Sequence, residues 1–100
     1  MEYSINSDGG TCTISLSGKF GFEDSSEFRK LIGGLAEQKG NNVIVDLDGL
    51  QSIDSAGLGM IILLNDAATD NSINLQISGA KGQVRKMLDI SNFSELMMIE

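Results

Sequence analysis

Polar and apolar positions alternate from Thr11 to Ser17, where TCTISLS puts Cys12, Ile14 and Leu16 on one face and Thr11, Thr13, Ser15 and Ser17 on the other. The pattern predicts a half-buried strand with Cys12 in the core. Tyr3 and Ile5 alternate likewise, and Asp8-Gly9-Gly10 between the two segments reads as a hairpin turn. Beyond Gly18 the period changes. Phe28, Leu31, Ile32 and Leu35 fall at i, i+3, i+4 and i+7, preceded by Asp24 with Glu27 three residues on, a capping-box-like start. An amphipathic helix ending near Gly40-Asn41 is predicted. Gly33-Gly34 inside it costs about 1 kcal/mol per glycine relative to alanine, which marks close packing or a bend.

Val43, Ile44 and Val45 form a continuous β-branched run, the pattern of a central strand covered on both faces. A loop containing Asp48-Gly49 follows, and the segment from Leu58 to Ala68 is long enough for a buried helix. Ile73, Leu75 and Ile77 alternate as a strand ending at Gly79, Val84, Met87 and Leu88 have helical spacing, and an apolar segment from Leu96 to Ile99 closes the chain as a final strand. The order β-β-α-β-α-β-α then β implies an α/β fold over residues 1–100, taken as one domain. Its mixed sheet is mostly parallel, with an N-terminal antiparallel hairpin and about three helices. In such sheets functional groups gather where strands end and helices begin, which singles out the turn from Asp46 to Ser55.

Charge and composition narrow the chemistry. A net charge of −7 and a pI near 4.3 oppose binding to phosphate backbones and to anionic membranes, so neither nucleic acid nor membrane is an expected partner. The longest unbroken apolar run, Met60 to Leu64, is far short of the roughly 20 residues that span a bilayer, and MEYSINSDGG has no basic segment. A cytoplasmic protein is expected. Cys12 is the single cysteine and histidine is absent, which removes intrachain disulfides, Cys/His zinc sites and the commonest general base.

The stretch IDSAGLGMIILL, from Ile53 to Leu64, is the one place where a serine stands among an aspartate and glycines before an apolar run. It is no nucleophile elbow, since Ile53 occupies the position that requires glycine and no histidine can take the proton. No lysine follows Gly57 or Gly59 at the spacing of a phosphate-binding loop, and Asp46, Asp48 and Asp54 fail the spacing of a calcium loop. No catalysis, metal or cofactor is therefore expected. Two readings of Ser55 stay open: a helix N-cap worth about 1 kcal/mol, and a phosphoacceptor, because a helix N-terminus tolerates an anion. Met60 to Leu64 cannot all face the sheet from one helix, so part of the run buries against a neighbour or lies in a docking surface.

The run VIVDLDGLQSIDSAGLGMIILL resembles the signature region of STAS domains, the bacterial anti-sigma factor antagonists. LSGKFGFEDSSEFRKLI resembles that family's second strand and first helix, and AKGQVRKMLDISNFSEL its third helix and following loop. The resemblance implies the STAS fold and an antagonist that acts by partner switching. Its unphosphorylated form binds an anti-sigma factor with serine kinase activity, phosphorylation at Ser55 releases it, and a PP2C-like phosphatase reverses the modification. Carried over residue by residue, the partner-binding positions are Asp54, Ser55, Ala56, Gly57, Leu58 and Gly59, with Glu23 and Asp24. Ser52, Ser25 and Ser26 are the competing acceptors. The chain departs from the family where Gly21 replaces the usual aspartate after the second strand, leaving Glu23 or Asp24 to substitute. It also stops at Glu100, without the extra C-terminal helix of many relatives. ISNFSEL and the short C-terminus look most like antagonists of proteobacterial motility and biofilm pathways. The rivals are a receiver-like domain phosphorylated on Asp46 and a small-ligand-binding module without serine phosphoregulation.

Overall fold

A computed structural model describes residues 1–38, 41–92 and 98–99. Its elements follow the predicted order: β1 (Glu2–Asp8), β2 (Thr11–Phe20), α1 (Ser25–Gly33), β3 (Asn42–Ile53), α2 (Ser55–Asp70), β4 (Asn74–Ser78), α3 (Gly82–Ile90) and β5 (Met98–Ile99). The strands lie in the order β1-β2-β3-β4-β5, antiparallel at β1/β2 and parallel elsewhere. Of the expected closing segment, Met98 and Ile99 pair with β4. Leu96 and Met97, like Phe93 to Glu95 of ISNFSEL, lie outside the described residues.

Cys12, Ile14 and Leu16 of β2 are buried on one side of the sheet, as their alternation predicts. Ile14 pairs with Val45, which pairs with Ile77, so the buried row continues across three strands. Phe28 and Leu31 of α1, Ile61 and Leu64 of α2, and Val84 and Leu88 of α3 join those positions in one core. Phe20 at the end of β2 meets Phe28 with ring centroids 4.8 Å apart, which anchors α1 against the strand end.

The other face runs differently from the expectation for β3. Thr13, Ile44 and Gln76 form one row and Ser15, Asp46 and Ser78 the next, and every one of them is only half-buried. Val43-Ile44-Val45 is therefore covered on one face, not both. Parallel strands are usually buried on both sides, and here small polar side chains make the uncovered side tolerable. Ile44 is a lone apolar residue in that field, which is why a three-residue run could not reveal it.

Two further expectations are corrected. The predicted long helix stops at Gly33, where the Gly34 N–H bonds the carbonyls of Lys30 and Leu31 at 3.3 and 3.2 Å, and a 3-10 turn follows over Leu35–Gln38. A Cβ on Gly33 would meet nothing within 4 Å, so the glycine pair marks a bend and not close packing. Asp48-Gly49 is no loop: β3 continues through it to Ile53, with register shifts between Ser15 and Ser17 and between Gly18 and Lys19. Each bulge sets an extra β3 residue against β2, and together they keep Leu47, Leu50 and Ile53 all buried on the core side. Gly49 eases the first bulge, since a Cβ there would stand 3.2 Å from the Leu16 carbonyl and 3.1 Å from Ser17 Cβ, a tight fit.

The two faces respond differently to one substitution. Val45→Thr places a hydroxyl in the closed core and should cost about 1–3 kcal/mol, lowering Tm by about 4–8 °C per kcal/mol. Ile44→Thr on the open face should cost less than about 1 kcal/mol. Thermal melts of the two variants check the assignment, and equal losses would mean that the second face is covered.

Candidate functional site

The turn between β3 and α2 is a single residue, Asp54, whose extended backbone (φ −104°, ψ −177°) ends the strand and caps the helix. Its Oδ1 accepts the Gly57 N–H at 2.9 Å, its carbonyl accepts the Leu58 N–H at 3.0 Å, and its own N–H donates to the Phe20 carbonyl at 3.1 Å. Asp54, not Ser55, is the N-cap. Aspartate and serine cap equally well, and the side chain that follows the extended residue is already in the helix. Ser55 thus becomes the first helical residue, exposed to solvent, with no hydrogen bond to its hydroxyl among the described residues.

Glycine at 57 is what lets α2 begin this close to the strands. A Cβ there would stand 2.7 Å from Ile53 Cγ1 and 2.8 Å from the Phe20 carbonyl. Gly21 is less constrained: its Cβ would lie 2.9 Å from Asp54 Oδ2 and 3.3 Å from Glu23 Oε2, the ends of side chains and not backbone. An aspartate at position 21 would bring a third carboxylate against those of Asp54 and Glu23. Of the two candidate substitutes, only Glu23 brings its carboxylate toward this turn. Asp24 is buried and faces the other way: its Oδ2 accepts the Gly21 N–H at 3.0 Å and its Oδ1 meets the Met1 ammonium at 3.2 Å. The capping box expected of Asp24 and Glu27 is therefore absent, because the Asp24 side chain bonds backwards and makes no cap bond to α1.

Of the remaining sequence-derived positions, Ala56 and Gly59 reach the surface beside Ser55, while Gly57 and Leu58 are buried beneath it. Ala56, Gly59, Met60 and Leu63 form one wall of a groove whose other wall is Phe22, Glu23, Ser25, Ser26 and Arg29. The apolar run of α2 divides accordingly: Met60, Ile61 and Leu64 are buried, Ile62 is half-buried, and Leu63 stays 38% exposed in the groove. Phe22, 76% exposed, is the most open large apolar side chain here. Sequence periodicity passed over it because it belongs to a short 3-10 turn between β2 and α1, outside both periods. An aromatic stranded between two periodic segments was the available signal.

Asp46 and Asp48 lie elsewhere along β3 and make other contacts. Asp46 Oδ1 accepts the Asp48 N–H at 3.0 Å, and Lys81 Nζ reaches Asp48 Oδ1 at 3.2 Å. Ser52 is a strand residue opposite Lys19, and Ser25 and Ser26 begin α1, so neither competing acceptor position shares the capped turn.

The two glycines of the turn should respond in opposite directions. Gly57→Ala forces a methyl against backbone and should cost about 1–3 kcal/mol or more. Gly59→Ala meets nothing within 4 Å and should stabilise the helix by up to about 1 kcal/mol. Chemical denaturation of both variants tests this packing, and a Gly57→Ala protein as stable as the parent would contradict it.

The family model described as "Mlab, STAS domain" matches residues 3–100. A STAS-domain containing protein of Pseudomonas aeruginosa strain UCBPP-PA14 is 34% identical over 94 residues, covering 94% of this chain and 92% of that protein. An anti-sigma factor antagonist of Mycobacterium paratuberculosis superposes with a TM-score of 0.86 at 12% identity, over 98% of this chain and 83% of its own. SpoIIAA, a Bacillus anti-sigma factor antagonist, superposes in its unphosphorylated form with a TM-score of 0.75 at 15% identity, covering 99% of this chain and 87% of its own. Its phosphorylated form gives 0.74 at 18% identity, over 99% and 91%. At such identities the solved structures speak for the fold alone. The family match and the Pseudomonas relative go further, and on them the chain belongs to the STAS domain family.

Proposed function

We propose that this protein is an anti-sigma factor antagonist whose partner binding is switched by phosphorylation of Ser55. The observation that carries the reading is the exposure of Ser55 at the first position of α2, its hydroxyl unengaged among the described residues, directly after a residue whose N–H, carbonyl and carboxylate are all bonded. The hydroxyl is free to react while the backbone beneath it is fixed. A further support is that SpoIIAA, a protein of this fold, is known in an unphosphorylated and a phosphorylated form.

The unmodified surface docks on an anti-sigma factor with serine kinase activity, which presents ATP to Ser55; a PP2C-like phosphatase restores the hydroxyl. The groove between α1 and α2, with Phe22 and Leu63 open to solvent, gives such a partner an apolar foothold beside the serine. A phosphate of charge −1.5 to −2 then falls next to the carboxylates of Asp54 and Glu23. Within this protein the helix dipole offsets roughly 0.3 to 2 kcal/mol of that crowding. At the interface the phosphate must also be desolvated, and about 3 kcal/mol lost there lowers affinity roughly a hundredfold. The protein acts as a substrate and a ligand, not as an enzyme. The rival acceptor Asp46 has its Oδ1 committed to the Asp48 N–H.

Incubation of the purified protein with an ATP-supplied extract of its native cytoplasm should place phosphate on Ser55, as read by mass spectrometry, and labelled ATP alone should place none. Ser55→Ala should retain the bound partner with a stability change within about 0.5 kcal/mol, since Asp54 holds the cap. Ser55→Asp should keep Tm within a few degrees and bind that partner at least tenfold more weakly. Phosphate on Ser52, Ser25 or Ser26 instead, or undiminished binding by Ser55→Asp, would overturn the proposal.

A further inference from the structure

β3 outruns its neighbour. β4 ends at Ser78, opposite Asp46, whereas β3 continues to Ile53. The β4 side of the strand end is occupied by a side chain of α3: Gln83 Nε2 donates to the Ile53 carbonyl at 2.9 Å, and its Oε1 accepts the Ile53 N–H at 2.9 Å. The carboxamide makes the two bonds that another strand would have made. A primary amide sets a donor and an acceptor side by side in this way, which an ionised carboxylate does not, and asparagine is one methylene too short to reach from the same helical position. On the opposite edge, the next residue, Asp54, donates to Phe20. The strand end is thus gripped from both sides immediately before the cap.

We propose that Gln83 is a positioning residue for Ser55: by clamping Ile53 it fixes the turn from which the hydroxyl is presented to another protein. The inference rests on the reading of Ser55 as phosphoacceptor. Phosphoryl transfer needs the acceptor oxygen in line with the donor, and a displacement of about 1 Å can cost about a hundredfold in rate. Without the clamp, the last β3 residue keeps its β2 pairing alone, and two part-buried polar groups lose their partners. The end frays, and the hydroxyl samples positions that the kinase cannot use. Gln83 is exposed and is not among the residues that line the groove, so its replacement leaves the core intact.

The test compares Gln83→Met, which keeps the length without the polar atoms, and Gln83→Asn, which keeps the amide without the length. Met87→Ala, which removes packing from the same helix without touching the clamp, is the stability control. Two quantities are read in each: amide hydrogen-exchange protection from Ile53 to Ala56, and the initial rate of Ser55 phosphorylation in the ATP-supplied native extract. Both Gln83 variants should lose at least tenfold in each, with Met87→Ala keeping both at its own lower Tm. Protection lost at unchanged rate, rate lost at unchanged protection, or equal slowing by Met87→Ala would each overturn the positioning role. If the parent itself is never phosphorylated, it is the reading of Ser55 that fails. The clamp is then judged by protection, supported by a loss confined to Ile53–Ala56 and overturned by none.

Discussion

The hydrogen bond from the Gly57 N–H to the Asp54 carboxylate, 2.9 Å long, decides where α2 begins and therefore where Ser55 stands. It forms because Gly57 lacks the Cβ that would strike Ile53 and the Phe20 carbonyl, and because Gly21 leaves space for the second oxygen of Asp54. The Gly57 N–H and the open side of Gly21 thus meet on one carboxylate. With that carboxylate spent on the cap, the next side chain is exposed and unbonded. Under the proposed function, a phosphate on that serine would break no hydrogen bond found among the described residues.

The rest of the fold holds the cap in place. The bulges of β3 keep Leu47, Leu50 and Ile53 in the core while the strand passes the end of β4. Phe20 both packs on Phe28 and supplies the carbonyl that receives the Asp54 N–H, so the α1 side of the groove and the capped turn share one anchor. Gln83 closes the remaining edge. The proposed switch is local: a charge would arrive at a fixed point on the surface and change what that surface binds. This agrees with a family whose fold tolerates wide sequence divergence, as TM-scores above 0.7 at 12 to 18% identity indicate.

Period-2 alternation in TCTISLS and the 3.6-residue spacing around Phe28 and Leu31 were enough to read the order of elements and the buried face of β2, because burial on one side imposes those periods directly. Features that depend on neighbours in space were not legible. Asp-Gly at 48 and 49 reads as a turn, and only its pairing with β2 makes it a bulge. Asp54 and Ser55 are equally good caps in isolation, and the approach of Gly57 to Phe20 decides between them. Whether Glu23 or Asp24 faces the turn depends on which carboxylate the Gly21 N–H recruits. Gln83 has no periodic signature at all, since one polar residue in a first helical turn looks like any other.

The capped turn should confine the effect of a phosphate on Ser55 to its surroundings. Amide chemical shifts of the unmodified and the Ser55-phosphorylated protein, recorded under the same conditions, test it most directly. The predicted result is change limited to residues 20–26, 53–63 and 81–83, with β4 and the buried side of α3 unmoved. Shifts spread through Leu75, Ile77, Val84 and Leu88 would contradict it, because the phosphate would then be acting by rearranging the core.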